Sequence, residues 1–234
     1  MHSHAGAWER SDEKAMNLTL GIFPLHPLHG LYVITDTALC AGHIESGVEQ
    51  ALLGGARVVQ YRDKSDDSAR RLAEARALAG LCRDHGALLI VNDDIGLAAA
   101  CNAHGVHLGR EDGALAMARS MLGPEAVIGL SCYDDFDRAR QARQAGADYI
   151  AFGRFFPSRT KPGAVQADPE LLRRGRAELD RPLVAIGGIT PENGRSLIAA
   201  GARMLAVVQA VFGAPDIRAA CESFTALFEE EYPS

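Results

Sequence analysis

The chain has 234 residues with a formal net charge of −6 at neutral pH, and 47% of its residues are hydrophobic. This length suits a single α/β barrel, which has about 250 residues, and this composition excludes disorder over most of the chain. The negative charge argues against nucleic acid as the main partner, although a few cations gathered in one cleft still attract a small anion.

Two features favour a cytoplasmic protein with no membrane partner. No apolar run approaches the roughly 20 residues that span a bilayer, and the N-terminal segment lacks the apolar core of a signal peptide. The five cysteines are odd in number and widely spaced, which argues against a disulfide framework or a zinc site. Residues 1–29, which include two prolines, are predicted to form an N-terminal extension that is partly disordered.

From Gly30 onward a short apolar run, its polar end and an amphipathic stretch repeat along the chain. Eight such runs are predicted strands: Leu31–Thr35, Val58–Tyr61, Leu88–Val91, Gly105–Leu108, Val127–Leu130, Tyr149–Phe152, Leu183–Ile186 and Leu205–Val208. The intervening stretches are predicted helices, most clearly 67–84, 134–145 and 191–200. Alternating units of this kind favour one (β/α)8 TIM barrel over residues 30–234, with an open doubly wound sheet as the alternative.

Polar residues at the carboxyl ends of barrel strands are the candidates for chemistry. After the second strand, the alternation of side chains puts Gln60, Arg62 and Lys64 on one side. If that side faces the barrel mouth, a planar guanidinium, a compact ammonium and an amide converge there and suit a pyrophosphate group. The alternative is a solvated edge with surface ion pairs.

The ends of the third and fourth strands carry carboxylates. Asp93 and Asp94 follow the third strand directly, and Asp112 follows the fourth. Oxygen ligands on neighbouring loops suit Mg²⁺, which keeps several waters and bridges to substrate phosphates. The competing interpretation is that these aspartates cap the helices that follow. His107, inside the fourth strand, is predicted to be a packed, hydrogen-bonded residue rather than a base.

The later connections favour phosphate binding. The segment from Gly153 to Ala164 contains three cations, two hydroxyl side chains and two prolines, which fits a loop that clamps a substrate, although an ordinary exposed loop is the alternative. Gly187 and Gly188 follow the seventh strand and Val208 and Gln209 the eighth, where such barrels often bind phosphate through backbone N–H groups.

Taken in order, these motifs resemble the thiamine-phosphate synthase family. The resemblance runs from about Gly30 to Phe228, and it is carried by Gln60-Tyr61-Arg62-Asp63-Lys64, Val91-Asn92-Asp93-Asp94, Gly105-Val106-His107-Leu108-Gly109, Gly153 through Lys161, and Ala185-Ile186-Gly187-Gly188-Ile189. It implies a Mg²⁺-dependent barrel enzyme that joins a hydroxymethylpyrimidine diphosphate to a thiazole phosphate. The products would be thiamine phosphate and pyrophosphate.

The resemblance also implies roles for individual residues. It assigns the pyrimidine diphosphate to Gln60, Tyr61, Arg62, Asp63, Lys64, Asn92, Ser131 and Lys161. It assigns the thiazole phosphate to Ser158, Arg159, Thr160, Gly188, Val208 and Gln209. Asp93 and Asp112 would hold Mg²⁺, and the catalytic set would be Arg62, Lys64, Ser131 and Lys161.

Some positions depart from the commonest family pattern. Gln209 replaces a usual serine, Arg154 a usual proline, Ser158 a usual threonine, and Asp63 and Arg110 the more usual Glu and Gln. Two rival functions remain, a thiazole tautomerase of the same fold and a non-catalytic barrel that senses a phosphorylated ligand. The combined cation and carboxylate set favours the synthase over both, and the sequence makes no prediction of the oligomeric state.

Overall fold

Eight parallel strands close into a barrel in the computed structural model, which describes residues 28–109, 114–157 and 166–231. The strands are β1 (Gly30–Ile34), β2 (Val58–Tyr61), β3 (Leu88–Asn92), β4 (Gly105–Leu108), β5 (Val127–Tyr133), β6 (Tyr149–Gly153), β7 (Leu183–Ile186) and β8 (Met204–Val207). Each strand pairs with the next, and β8 pairs with β1 from Gly30↔Met204 to Val33↔Val207. This closure confirms the predicted TIM barrel and excludes the open sheet.

Helices surround the barrel. In the part of the chain that the structure describes they are α1 (Ile44–Leu53), α2 (Ser68–Asp84), α3 (Ile95–Ala100), α4 (Ala114–Leu122), α5 (Phe136–Gln144), α6 (Glu170–Glu178), α7 (Pro191–Ala200), α8 (Gln209–Phe212) and α9 (Ile217–Glu231). The three most clearly predicted helices are confirmed as α2, α5 and α7. Asp67 caps α2 by accepting a hydrogen bond from the backbone N–H of Arg70 at 3.0 Å, as an aspartate at that position is expected to.

The strands bury side chains on both faces, which explains why they read as nearly continuous apolar runs. In β1, Tyr32 and Ile34 point into the barrel, whereas Leu31 and Val33 pack against the helices. The two resulting clusters fill the barrel interior and the space between strands and helices. The same alternation decides which residues beyond each strand end reach the barrel mouth.

The ends of the chain bear on the predicted domain boundary. β1 begins at Gly30, where the barrel is predicted to start, but residues 1–27 lie outside the described residues, so the extension stays a prediction. All five cysteines are free and buried. Among the described residues, no helix is both long and apolar enough to cross a bilayer.

Candidate active site

A cavity of about 530 Å³ opens at the carboxyl ends of the strands. Residues at the carboxyl ends of β2, β3 and β5 line one side of it, among them Arg62, Asn92 and Ser131. The turns after β7 and β8 line the other side with Gly188 and Gln209. The cavity therefore has one side with polar side chains and the Arg62 cation, and a second side with glycine-rich turns beside Arg154.

Residues from 60 to 64 separate onto two sides of β2. Gln60 and Arg62 line the cavity, as predicted, and the backbone N–H of Arg62 donates to the buried Thr35 hydroxyl at 2.9 Å. Lys64 is exposed and does not line the cavity. Thr35 therefore fixes the backbone that presents the Arg62 guanidinium, whereas Lys64 lies on the surface nearby.

Tyr61 and Asp63, in contrast, lie on the outer side of β2. The Tyr61 hydroxyl donates to Glu74 at 2.7 Å, and Arg70 donates to Asp63 at 2.7 Å and to Glu74 at 2.9 Å. Burial alone would raise the pKa of Asp63, but hydrogen bonds from Ser65 and the nearby Arg70 lower it overall. The structure does not bring Tyr61 or Asp63 to the cavity, because strand alternation turns both toward α2.

The carboxylates after β3 have different surroundings. Asp94 caps α3 by accepting from the backbone N–H of Leu97 at 2.8 Å, and Arg71 donates to it at 2.8 Å. Asp93 has a left-handed backbone (φ 61°) and its carboxylate accepts from the Asn92 amide at 2.7 Å. The capping interpretation is therefore confirmed for Asp94 and wrong for Asp93.

His107 and Ser131 meet on the cavity wall. His107 Nε2 lies 2.8 Å from Ser131 Oγ, and Nδ1 lies 2.9 Å from the Tyr149 hydroxyl. Burial lowers the pKa of His107 to about 4, only partly offset by the charge of Asp93. His107 is thus a packed, hydrogen-bonded and neutral residue, as the sequence predicts. Arg138 supports this wall by donating to the backbone oxygens of Ser131 and Gly109 at 2.9 and 2.7 Å.

The opposite side of the cavity is built by the turn after β7. The Asn193 side chain donates to the Gly188 oxygen at 3.0 Å, and its own oxygen accepts from the backbone N–H of Thr190 at 2.9 Å. Together with the predicted Pro191 start of α7, this capping box fixes the turn. Val208 and Gln209 line the same side, where α8 begins.

Several predicted site residues fall outside the described residues, namely Asp112, Ser158, Arg159, Thr160 and Lys161. Their roles remain those that the family resemblance implies.

Sequence reasoning did not assign Tyr32, Asp36, Tyr133 or Arg154 to the site, yet all four line the cavity. For Tyr32 and Asp36 the signal was present, because they continue the inward alternation of β1. Arg154 is one of the three cations of the predicted clamping loop, but the sequence assigns it no contact of its own because it replaces a usual proline. Tyr133 has a left-handed backbone (φ 54°) beside a β-bulge, which no sequence pattern indicated.

Comparison with known proteins decides the family. Residues 31–211 match the family described as thiamine monophosphate synthase. The chain belongs to this family. It is 52% identical over 203 residues to a thiamine-phosphate synthase of Thioalkalivibrio sulfidiphilus, a match that spans 86% of this chain and 96% of that protein. A thiamine-phosphate synthase of Aromatoleum aromaticum is also 52% identical over 202 residues, 86% of this chain and 97% of that protein.

Solved structures agree with this family assignment. A thiamine phosphate pyrophosphorylase from Pyrococcus furiosus superposes with a TM-score of 0.78 at 36% identity, covering 87% of this chain and 96% of that one. A 3-hexulose-6-phosphate synthase superposes with a TM-score of 0.61 at 16% identity, covering 85% of this chain and 99% of that one. The second likeness reports the shared barrel fold alone.

Proposed function

We propose that this family member condenses 4-amino-2-methyl-5-(diphosphooxymethyl)pyrimidine with a thiazole phosphate, in the cytoplasm and with Mg²⁺. The observation that carries the proposal is the two-sided cavity, with Arg62, Asn92 and Ser131 facing the turns at Gly188 and Gln209. One side offers a cation, an amide and a hydroxyl to a diphosphate, and the other offers backbone to a phosphate. Five free thiols agree with a reducing compartment.

The reaction exchanges one bond for another at the pyrimidine methylene carbon. The carbon–oxygen bond to the diphosphate breaks, and the thiazole ring nitrogen supplies its lone pair to form the new carbon–nitrogen bond. That nitrogen carries no proton, so the step needs no general base. The barrier lies in the departure of pyrophosphate, whose developing charge the Arg62 guanidinium stabilises from the cavity wall. The family resemblance assigns the same task to Lys161 and to Lys64, which lies on the surface nearby and would have to reach over the rim of the cavity.

Ser131 and Asn92 complete the diphosphate side. A hydroxyl and an amide N–H both donate to phosphate oxygens, and fixed donors in a partly enclosed cavity lose little free energy to reorganisation. Ser158, Arg159, Thr160, Gly188, Val208 and Gln209 are proposed for the thiazole phosphate. Holding both substrates in one cavity brings the ring nitrogen to the methylene carbon and lowers the entropic part of the barrier.

The donor set fits a magnesium ion. Asp93 is left without a capping role by its neighbour Asp94, and it follows β3 with its carboxylate beside the cavity residue Asn92. Among the described residues, no three metal-ligating side chains cluster, which suits an ion held by one or two carboxylates, water and substrate phosphate. Asp93 and Asp112 would hold the ion, which when bound neutralises charge on the leaving pyrophosphate.

Pyrophosphate release from the two substrates tests the proposal. We expect thiamine phosphate and pyrophosphate in equal amounts, activity abolished by EDTA and activity restored by Mg²⁺. Arg62→Met should lower kcat/KM at least about a hundredfold, roughly 2.7 kcal/mol, because it removes a charged donor from the leaving group. The control Arg140→Met removes a surface ion pair with Glu178 and should leave the rate unchanged.

The two rivals predict different products. A thiazole tautomerase would interconvert thiazole isomers without releasing pyrophosphate. A sensor barrel would bind a phosphorylated ligand without turnover. Either outcome, with a folded and ligand-competent protein, would contradict the proposed synthesis.

A further inference from the structure

A chain of hydrogen bonds crosses the floor of the cavity and joins its two polar ends. Gln60 Nε2 lies 2.7 Å from the Tyr32 hydroxyl, which lies 2.9 Å from the Tyr149 hydroxyl. The Tyr149 hydroxyl lies 2.9 Å from His107 Nδ1, and His107 Nε2 lies 2.8 Å from Ser131 Oγ. Five side chains from five different strands are thus connected without a gap.

The orientation of the Gln60 amide, whose nitrogen faces Tyr32, gives this chain a direction. The Gln60 amide nitrogen only donates, so the Tyr32 oxygen accepts and its single hydrogen goes to Tyr149. Tyr149 in turn donates its hydrogen to His107 Nδ1, which therefore carries a lone pair. A neutral imidazole with a bare Nδ1 is protonated on Nε2, so His107 donates to Ser131.

The hydrogen bond from His107 to Ser131 leaves the Ser131 hydroxyl hydrogen available at the cavity surface. Ser131 Oγ accepts from His107 and so keeps its own hydrogen for a group inside the cavity, which Ser131 lines. At the other end, the Gln60 nitrogen is engaged by Tyr32, which leaves the amide oxygen to accept from a ligand amino group. A diphosphate is an acceptor and an aminopyrimidine is a donor, so both ends match the proposed substrate.

We infer that Tyr149, with Tyr32, is a positioning residue that holds His107 as the Nε2–H tautomer, so that Ser131 is held as a donor to the substrate diphosphate. This inference rests on the proposed function for the identity of the acceptor. The tautomer itself rests on the orientation of the Gln60 amide in the free protein and not on any substrate. Tyr149 acts through its neighbours, because it is fully buried and is not among the residues that line the cavity.

The local packing holds Tyr149 in this place. Its ring stacks on His107 with centroids 5.6 Å apart and lies edge-on to Tyr32 at 6.0 Å. Gly129, on the neighbouring strand β5, makes room for it, since a Cβ there would overlap the Tyr149 ring. The glycine inside β5 thus serves the close approach of an aromatic ring.

The opposite direction of the same chain is the competing arrangement. With the Gln60 amide rotated, every hydrogen bond would reverse, His107 would be protonated on Nδ1, and Ser131 would donate its hydrogen to Nε2. Ser131 would then face the diphosphate as an acceptor, beside acceptor oxygens. The two directions differ in one measurable property, which is the ring nitrogen of His107 that carries the hydrogen.

Nitrogen-15 NMR of the ligand-free protein at neutral pH tests the direction without any substrate, because protonated and bare ring nitrogens have well-separated resonances. We expect the Nε2–H tautomer of His107 in the wild type and a mixture of tautomers in Tyr149→Phe. An Nδ1–H tautomer in the wild type would overturn the inference. Because this measurement needs no synthase activity, it can contradict the tautomer inference without contradicting the proposed function, and the reverse also holds.

A double-mutant cycle tests whether Tyr149 acts through Ser131. Tyr149→Phe should lower kcat about tenfold in the wild type but less than about twofold in a Ser131→Ala background, because the donor is already absent there. If the double variant showed the product of the two single losses in kcat, the inference would be contradicted. The control Thr225→Val removes a comparable hydroxyl, which donates to the Gly54 oxygen at 2.9 Å outside the barrel, and should change neither the rate nor the tautomer.

Discussion

At the scale of single residues, two adjacent carboxylates with the same chemistry have different tasks. Asp94 is engaged by the start of α3 and by Arg71, whereas Asp93 turns away through a left-handed backbone. Asparagine and aspartate tolerate that conformation better than other side chains with a Cβ. From the sequence, either aspartate could cap a helix or bind a metal ion. The local backbone conformation decides that Asp94 is the cap.

Substitution of each carboxylate should therefore have a different effect. Asp93→Asn should raise the Mg²⁺ concentration for half-maximal rate about tenfold, roughly 1.4 kcal/mol, with little change in stability. Asp94→Ala should cost about 1 kcal/mol of unfolding free energy through the lost cap, with an unchanged Mg²⁺ midpoint. Magnesium titrations of the rate, beside urea denaturation of both variants, measure the two effects. If Asp93→Asn left the midpoint unchanged, Asp93 would not be a ligand.

At the scale of elements, the turn after β7 is packed directly against the segment after β6. A Cβ on Gly188, which has φ 65°, would lie 2.8 Å from the Phe156 oxygen and collide with the Pro157 oxygen. The close approach of two backbone segments therefore requires glycine at position 188, independently of any contact with phosphate. The turn on the phosphate side of the cavity is therefore packed directly against the start of the predicted clamping loop.

Gly188→Ala should consequently destabilise the protein and disturb one substrate more than the other. We expect a loss of about 2–3 kcal/mol in unfolding free energy and a larger rise in KM for the thiazole phosphate than for the pyrimidine diphosphate. Gly146→Ala is the matched control, because Gly146 also has a positive φ (90°) but nothing within 4 Å of its Cβ position. It should cost only about 1–2 kcal/mol, from backbone strain, and leave both KM values unchanged. Equal losses for the two variants, with equal KM values, would contradict the packing argument.

At the scale of the whole molecule, the last helix covers the place where the barrel closes. α9 packs against β1, α1 and α7, so the end of the chain lies over its described beginning. Phe224 in α9 is fully buried in the outer core. Because β1 also pairs with β8, the packing of α9 against β1 supports the strand pair that closes the barrel.

Phe224→Ala should weaken the whole fold, with an expected loss of about 3–5 kcal/mol from the lost burial and the cavity left behind. Urea denaturation followed by circular dichroism and tyrosine fluorescence should show one coincident transition, shifted to lower urea. Met117→Ala on α4 is the control, since Met117 is 59% exposed and its loss should change stability by less than about 0.5 kcal/mol. Two separate transitions for Phe224→Ala would mean that α9 unfolds independently of the barrel.

The sequence by itself determined the barrel and the neighbourhood of its site. Apolar runs of strand length indicated a parallel sheet buried on both faces, and eight alternating units favoured a closed barrel over an open doubly wound sheet. All eight predicted strands are present. Period-two alternation correctly predicted Gln60 and Arg62 in the cavity, because that pattern is local. It was wrong for Lys64, which lies three residues beyond the end of β2, where the alternation no longer holds.

Only the tertiary structure decided which neighbouring side chains share a task. Tyr61 and Asp63 pair with Glu74 and Arg70 because α2 packs on the outer side of β2. Asp94 rather than Asp93 caps a helix because the backbone at Asp93 is left-handed. The hydrogen-bond chain from Gln60 to Ser131 joins residues up to 117 positions apart, Tyr32 and Tyr149. Local sequence patterns cannot predict such contacts, because only closure of the barrel brings these hydroxyls together.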